Sequence, residues 1–271
     1  GNDVAKGQCL AERGERINPF MLGQFAAAGI SLIQVFAKVR VGIFSSGDEL
    51  RDPGTPLSDL AYGQIYDSNR LTVAKLLDDL PIQCVDLGCL PDDPKKIDDA
   101  LLRATNDCDV LITSGGVSVG DADYIVERIR RHGELRFWRL NLKPGKPLAF
   151  GHIHSCWIFG LPGNPISTII TALLVARPAI AHLAGTSMPI PLRIVATLKG
   201  TITHTTGRTE YQRGHFEYGI DGYTVTHTGQ QGSNRLSSFR NANCLIEIAK
   251  TQGDMQVGDE VIILPLTSLL H

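Results

Sequence analysis

Chemistry on an anion calls for carboxylates, cations, and small residues that let a backbone close in on the ligand. The densest run of such residues is Asp109 to Asp123. Val110, Leu111 and Ile112 read as a buried parallel strand. The next stretch, Ser114, Gly115, Gly116, Ser118 and Gly120, offers backbone N–H groups and two hydroxyls with little side-chain bulk, and Asp121 and Asp123 follow where a helix should start. Phosphate beside carboxylates requires a cation between them, so the loop reads as a metal-bridged phosphate site. A glycine-rich turn with an aspartate N-cap is the plainer reading of the same residues.

Similar turns recur. Ser45-Ser46-Gly47-Asp48-Glu49 combines small residues with acids, Leu90-Pro91-Asp92-Asp93-Pro94 places two acids before a proline, and Gly160-Leu161-Pro162-Gly163-Asn164-Pro165 presents a proline-fixed turn. Asp67 reads as an N-cap, and helix-dipole complementarity alone would account for Asp92 and Asp93. Arg139, Lys143 and Lys146 lie in the proline-stiffened stretch Phe137 to Pro147. On a strand, 139, 141 and 143 share a face, so Arg139 and Lys143 are expected to address one anion together.

These turns need elements to hold them. Strands are predicted over 41–44, 83–87, 110–113 and 156–161, with helices over 67–80, 94–105, 123–132 and 166–183. That alternation predicts an α/β fold, a parallel sheet with helices on both faces, whose ligands gather at the carboxyl ends of the strands. All the turns above would then open at one edge. Before this region, Asn18-Pro19 starts a helix that Gly29 stops, and 30–37 is expected as a strand. After Gly185 the pattern changes to short alternating strands with Gly-rich turns, a small all-β barrel-like domain. The expected division is 1–38 as the remnant of a linker or N-terminal domain, 39–185 as the α/β domain and 186–271 as the β domain.

Bulk properties narrow the partners. Charged residues make up 20% and the net charge is −2, which gives no general attraction to nucleic acid or membrane. The six cysteines form no C-x-x-C pair and read as reduced core thiols of a cytoplasmic protein. No signal peptide is visible, and the apolar run 166–176 is too short to span a bilayer. The histidines lack zinc spacing, and there is no G-x-S-x-G, Walker A or H-E-x-x-H pattern. The opening Gly1-Asn2-Asp3-Val4 reads as mid-domain.

Taken together, the motifs resemble the MoeA-type molybdopterin molybdenumtransferases, which include the gephyrin E domain. The resemblance is carried by Ser45 to Leu50, Ile65 to Asn69, Asp92-Asp93-Pro94, Ser114 to Tyr124, Lys143 to Pro147 and Leu161 to Pro165. Arg208-x-Glu210-Tyr211-x-Arg213-Gly214 and Gln231-Gly232-Ser233 add to it. It implies metal-assisted cleavage of adenylylated molybdopterin, transfer of molybdate to the dithiolene and release of AMP. Asp92 and Asp123 would hold Mg²⁺, supported by Glu49, while Arg139 and Lys143 stabilise negative charge. Ser46, Gly47, Ser114, Gly115, Gly116, Ser118 and Lys146 would line the substrate site. Pro162, Gly163, Asn164 and Pro165 would shape the pterin pocket, and Arg208 and Ser233 would receive molybdate. The resemblance further implies a homodimer, a molybdopterin adenylyltransferase as partner, and a lid region preceding Gly1. Relatives often carry lysine at 139, where this chain has the planar guanidinium of Arg139. Two other readings are an adenylyltransferase, which resembles the α/β part alone, and a gephyrin-like binding scaffold.

Overall fold

A computed structural model describes residues 3–116, 124–186, 188 and 190–270. Its elements run α1 (Pro19–Ala27), β1 (Val39–Ser46), β2 (Leu50–Arg51), β3 (Ile65–Tyr66), α2 (Asn69–Leu76), β4 (Ile82–Leu90), α3 (Pro94–Asp107), β5 (Val110–Ser114), α4 (Tyr124–His132) and β6 (Glu134–Trp138). They continue with β7 (Leu142–Lys143), β8 (Ala149–Ile153), β9 (Cys156–Leu161), α5 (Pro165–Thr171), α6 (Arg177–Leu183), β10 (Ile194–Leu198), β11 (Thr209–Gly219), β12 (Gly222–His227), β13 (Cys244–Ile248), β14 (Glu260–Pro265) and α7 (Leu266–Leu270).

The first sheet has the order β4-β1-β5-β9-β8-β6. Strands β4, β1, β5 and β9 are parallel, as the alternation of elements requires. The sheet is nonetheless mixed, because β8 returns antiparallel on β9 and β6 pairs antiparallel with β8. The expected α/β sheet with helices on both faces is thus present, and its antiparallel edge arises because a tight turn, rather than a helix, joins β8 to β9, and a tight turn can only reverse the chain.

Period-two alternation divides the core between the sheet's faces. Val41, Ile43, Val110 and Ile112 face Val73, Leu77, Ala176 and Ile180 of the α2 and α5–α6 layer. Phe44, Leu111 and Ile158 face Ile97, Leu101, Ile125 and Ile129 of α3 and α4. Central β5 is buried throughout, which explains its unbroken apolar run. Helix α3 starts where Pro94 occupies the first turn and the Asp93 carboxylate accepts from the N–H groups of Lys95 and Lys96.

The second sheet closes on itself. Its order is β12-β10-β14-β13-β11, and β11 also pairs with β12, giving a five-stranded barrel with its own apolar core. Strand β7, from the α/β part, adds to β11 in parallel and stitches the two sheets together.

Other expectations change. Residues 30–37 form no strand. Cys9 and Cys84 are exposed rather than in the core, while Cys108, Cys156 and Cys244 are buried and all six thiols are free. Pro165–Leu183 runs as one helical stretch through a π segment, Ala172–Ala176, so it exceeds the apolar run read from the sequence. By length and composition its 19 residues could cross a membrane, yet 67% of the apolar window is buried within this fold.

Candidate active site

The carboxyl ends of the parallel strands are bound to one another by short contacts. Gly47 N–H, after β1, donates to Leu90 O at the end of β4 at 3.1 Å. Asp92 N–H donates to the Asp48 carboxylate at 3.1 Å, so Asp48, Glu49 and Asp92 share one corner. Burial pushes the Asp92 carboxyl above the ordinary carboxylate value, and the charges of Asp48 and Glu49 push the same way. That corner is short of positive charge.

The loop after β5 abuts the same corner. Gly115 (φ 95°) and Gly116 (φ 68°) both adopt left-handed backbone, which glycine tolerates best. A Cβ at Gly115 would drive into the carbonyl oxygen of Ser46, and one at Gly116 would lie 3.2 Å from Ser46 Oγ. Ser46 Oγ is buried with no hydrogen-bond partner among the described residues, as are Ser45 Oγ and Thr113 Oγ1. Orphaned buried hydroxyls beside a cradle of two glycines are ready donors for an anion.

The third wall is the turn after β9. Gly115 N–H donates to Leu161 O at 3.2 Å, and Thr168 Oγ1 donates to Pro162 O at 2.5 Å, fixing the turn against α5. The Asn69 side-chain amide joins both loops, donating to Ser114 Oγ at 2.8 Å and to Gly163 O at 2.7 Å. Behind it, Asp67 is buried and accepts from the N–H groups of Asn69 and Arg70. Arg70 also pairs with Asp52 and Asp86; burial opposes its charge, and the carboxylates more than compensate.

The cations lie differently from the expected shared face. Arg139 has φ 79°, which breaks the strand after Trp138, and its guanidinium sits over the Trp138 ring at 4.0 Å. Lys143 instead belongs to β7 and pairs with Glu210 of the barrel at 2.9 Å. The two cannot act as one strand face, because the chain turns between them. Lys146 is exposed and makes no ion pair among the described residues. From the barrel, Ser233 O accepts from Ile166 N–H at 3.0 Å, which seats its loop at the start of α5, and Arg208 is exposed beside β11. Ser118, Asp121 and Asp123 lie outside the described residues. Asp48, Asn69, Arg70 and Glu210 fasten these loops through contacts that sequence reasoning does not supply, although each falls within or beside a quoted motif.

Residues 42–182 match the model of a probable molybdopterin binding domain, and residues 195–266 match that of the MoeA C-terminal region, domain IV. Over 274 aligned residues the chain is 38% identical to a molybdopterin molybdenumtransferase of Haemophilus influenzae. The chain belongs to the molybdopterin molybdenumtransferase family. Gephyrin of Dictyostelium discoideum is 30% identical over 295 residues that cover 96% of this chain. A solved molybdopterin biosynthesis MoeA protein from Pyrococcus superposes with a TM-score of 0.81 at 28% identity over 97% of the chain. The chain spans 67% of the Haemophilus relative, 41% of gephyrin and 63% of the Pyrococcus protein. Membership ties it to molybdenum cofactor biosynthesis.

Proposed function

We propose that this chain carries the molybdenum-inserting centre of a molybdopterin molybdenumtransferase, which cleaves adenylylated molybdopterin, transfers molybdate to the dithiolene and releases AMP. The observation that carries the reading is the Ser46–Gly115–Gly116 cradle, with its unpartnered hydroxyl, set against the acidic corner of Asp48, Glu49 and Asp92. A pyrophosphate would seat on the cradle, and the carboxylates would then face its oxygens.

The donor set fits a hard divalent cation. It is all oxygen, and the Asp92 carboxyl is raised by its burial first and by the neighbouring Asp48 and Glu49 charges second. Asp92 and Asp123 would hold Mg²⁺, with Glu49 in support; when bound, the ion supplies positive charge at the phosphate oxygens. This chain's own groups do the rest. Ser46 Oγ and the Gly116 backbone N–H orient the pyrophosphate, Asn69 holds that loop to the 162–165 turn, and Lys143 stabilises charge from the barrel side. Ser118, by the family motif, would be a further substrate-binding hydroxyl, Lys146 adds a second ammonium, and Pro162 to Pro165 shape the pterin pocket. Arg139 screens charge at the rim, and Arg208 and Ser233 receive molybdate. A cytoplasmic homodimer supplied by an adenylyltransferase completes the reading.

The test is AMP release from adenylylated molybdopterin by the 271-residue chain. Release that depends on molybdate supports the proposal. Release independent of molybdate, or formation of adenylylated molybdopterin from ATP, contradicts it.

A further inference from the structure

The barrel meets the α/β domain through an apolar cluster, in which Ile166, Ile169 and Ile170 pack with Leu245 and Leu264, and through an ion pair beside it. Lys143 on β7 stands opposite Glu210 on β11 in register, and its ammonium lies 2.9 Å from the carboxylate. The contact is an ion pair by distance, without the alignment of a hydrogen bond. Its members are unequal, since the Glu210 side chain is 5% exposed and that of Lys143 is 44% exposed.

The carboxylate is fixed from behind. Gln212 Nε2 donates to Glu210 Oε1 at 3.1 Å, and His204 Nε2 lies 3.7 Å from Oε2. The fully buried Arg213 guanidinium is pushed down to about 10 by burial, a shift that the Glu210 charge opposes, so it remains a cation at neutral pH. Ser238 Oγ accepts from Arg213 Nε at 2.9 Å, and the Gln231 side chain brackets the Arg213 backbone. Glu210 is therefore a rigid anchor and Lys143 a flexible stem that reaches it. A free lysine would have to give up rotamer freedom to meet an anion, and a fixed counter-ion removes part of that loss in advance. Arg213 offsets part of Glu210's charge, so the cluster remains attractive to an incoming anion.

We infer that Glu210 is a positioning residue of the transferase site, a barrel carboxylate that aims the Lys143 ammonium at the substrate's anionic group and so makes the barrel part of the active centre. The inference rests on the reading of Lys143 given under the proposed function.

The test measures Mg·ADP binding by calorimetry to the whole chain, to Lys143→Ala, to Glu210→Gln, and to the double variant. Expected are binding by the wild type, weakening of about tenfold in each single variant, and no further loss in the double variant. A Glu210→Asp variant, which keeps the charge and shortens the reach, should fall between wild type and Glu210→Gln. Near-UV circular dichroism checks that each variant is folded; a purely structural role would lower the melting temperature and add to the effect of Lys143→Ala. Glu210→Gln binding that equals or exceeds wild type, or losses that multiply, overturns the inference alone. No binding by the wild type overturns the site reading and the inference with it.

Discussion

Replacing Gly115 by alanine should collapse the phosphate cradle, while the same change at Gly163, its neighbour across the site, should pass almost unnoticed. Gly115 holds φ 95°, which costs an L-residue about 1–3 kcal/mol, and its new Cβ would overlap the carbonyl oxygen of Ser46. Because that oxygen belongs to backbone in a buried strand end, relief requires the loop to move, adding about 1–3 kcal/mol of overpacking. The sum of about 2–6 kcal/mol corresponds to a melting temperature lower by roughly 5–20 °C for a chain of this size. Gly163 is different. Its φ is not in the left-handed region, and the nearest atom to an added Cβ would be Gly115 Cα at an ordinary 3.8 Å. Differential scanning calorimetry of both variants, followed by Mg·ADP titration, separates stability from binding. Gly115→Ala should bind at least tenfold more weakly than Gly163→Ala at a temperature where both are folded. Equal melting temperatures and equal affinities would show that the loop does not rest on Ser46.

Asn69→Ala removes both links between the Ser-Gly-Gly loop and the Pro162–Pro165 turn and leaves Gly163 O unpaired, so it should cost about 1–3 kcal/mol in denaturant unfolding and weaken nucleotide binding. Arg177 is buried and bidentate to Asp79 while also donating to the carbonyl oxygens of Leu76 and Leu270, so Arg177→Ala should destabilise by about 3–5 kcal/mol, read as an urea midpoint shift. Asp92→Asn should stabilise the ligand-free chain at neutral pH by about 0.5 kcal/mol, a screened like-charge value. The folded carboxyl titrates above its unfolded value, so the wild type's handicap is absent below the unfolded pKa and grows as pH rises through the folded one; the gain from asparagine should therefore vanish near pH 3. With a thiol reagent at pH 8, Cys9 and Cys84 should react in the native chain. Cys156 and Cys244, buried and pushed up to about 12, should react only on unfolding.

Much of this was legible where the signal is local. The bounds of β9, 156–161, follow from an apolar run ended by Gly160-Leu161-Pro162, and the start of α3 from Asp93-Pro94. Strand 30–37 failed because its apolar residues find no partner strand, and a strand exists only through pairing. The reversal of β8 was hidden because periodicity does not tell a parallel from an antiparallel neighbour. In the site, the acids could be read as charges following strands. Their fastening could not, since Asp48 accepts from Asp92 N–H, and Asn69 reaches Gly163 O, only once loops far apart in sequence have met. Lys143 was misplaced for the same reason: its partner Glu210 lies in the barrel, and the β7–β11 pairing that joins them leaves no mark in either segment alone.

The account stands most directly on where a divalent ion and a nucleotide settle. Crystals soaked with ADP and Mn²⁺, which scatters anomalously, should show an anomalous peak beside the Asp92 carboxylate with phosphate oxygens on Ser46 Oγ and the Gly116 backbone N–H. An anomalous peak elsewhere, or a nucleotide bound away from that cradle, would contradict it.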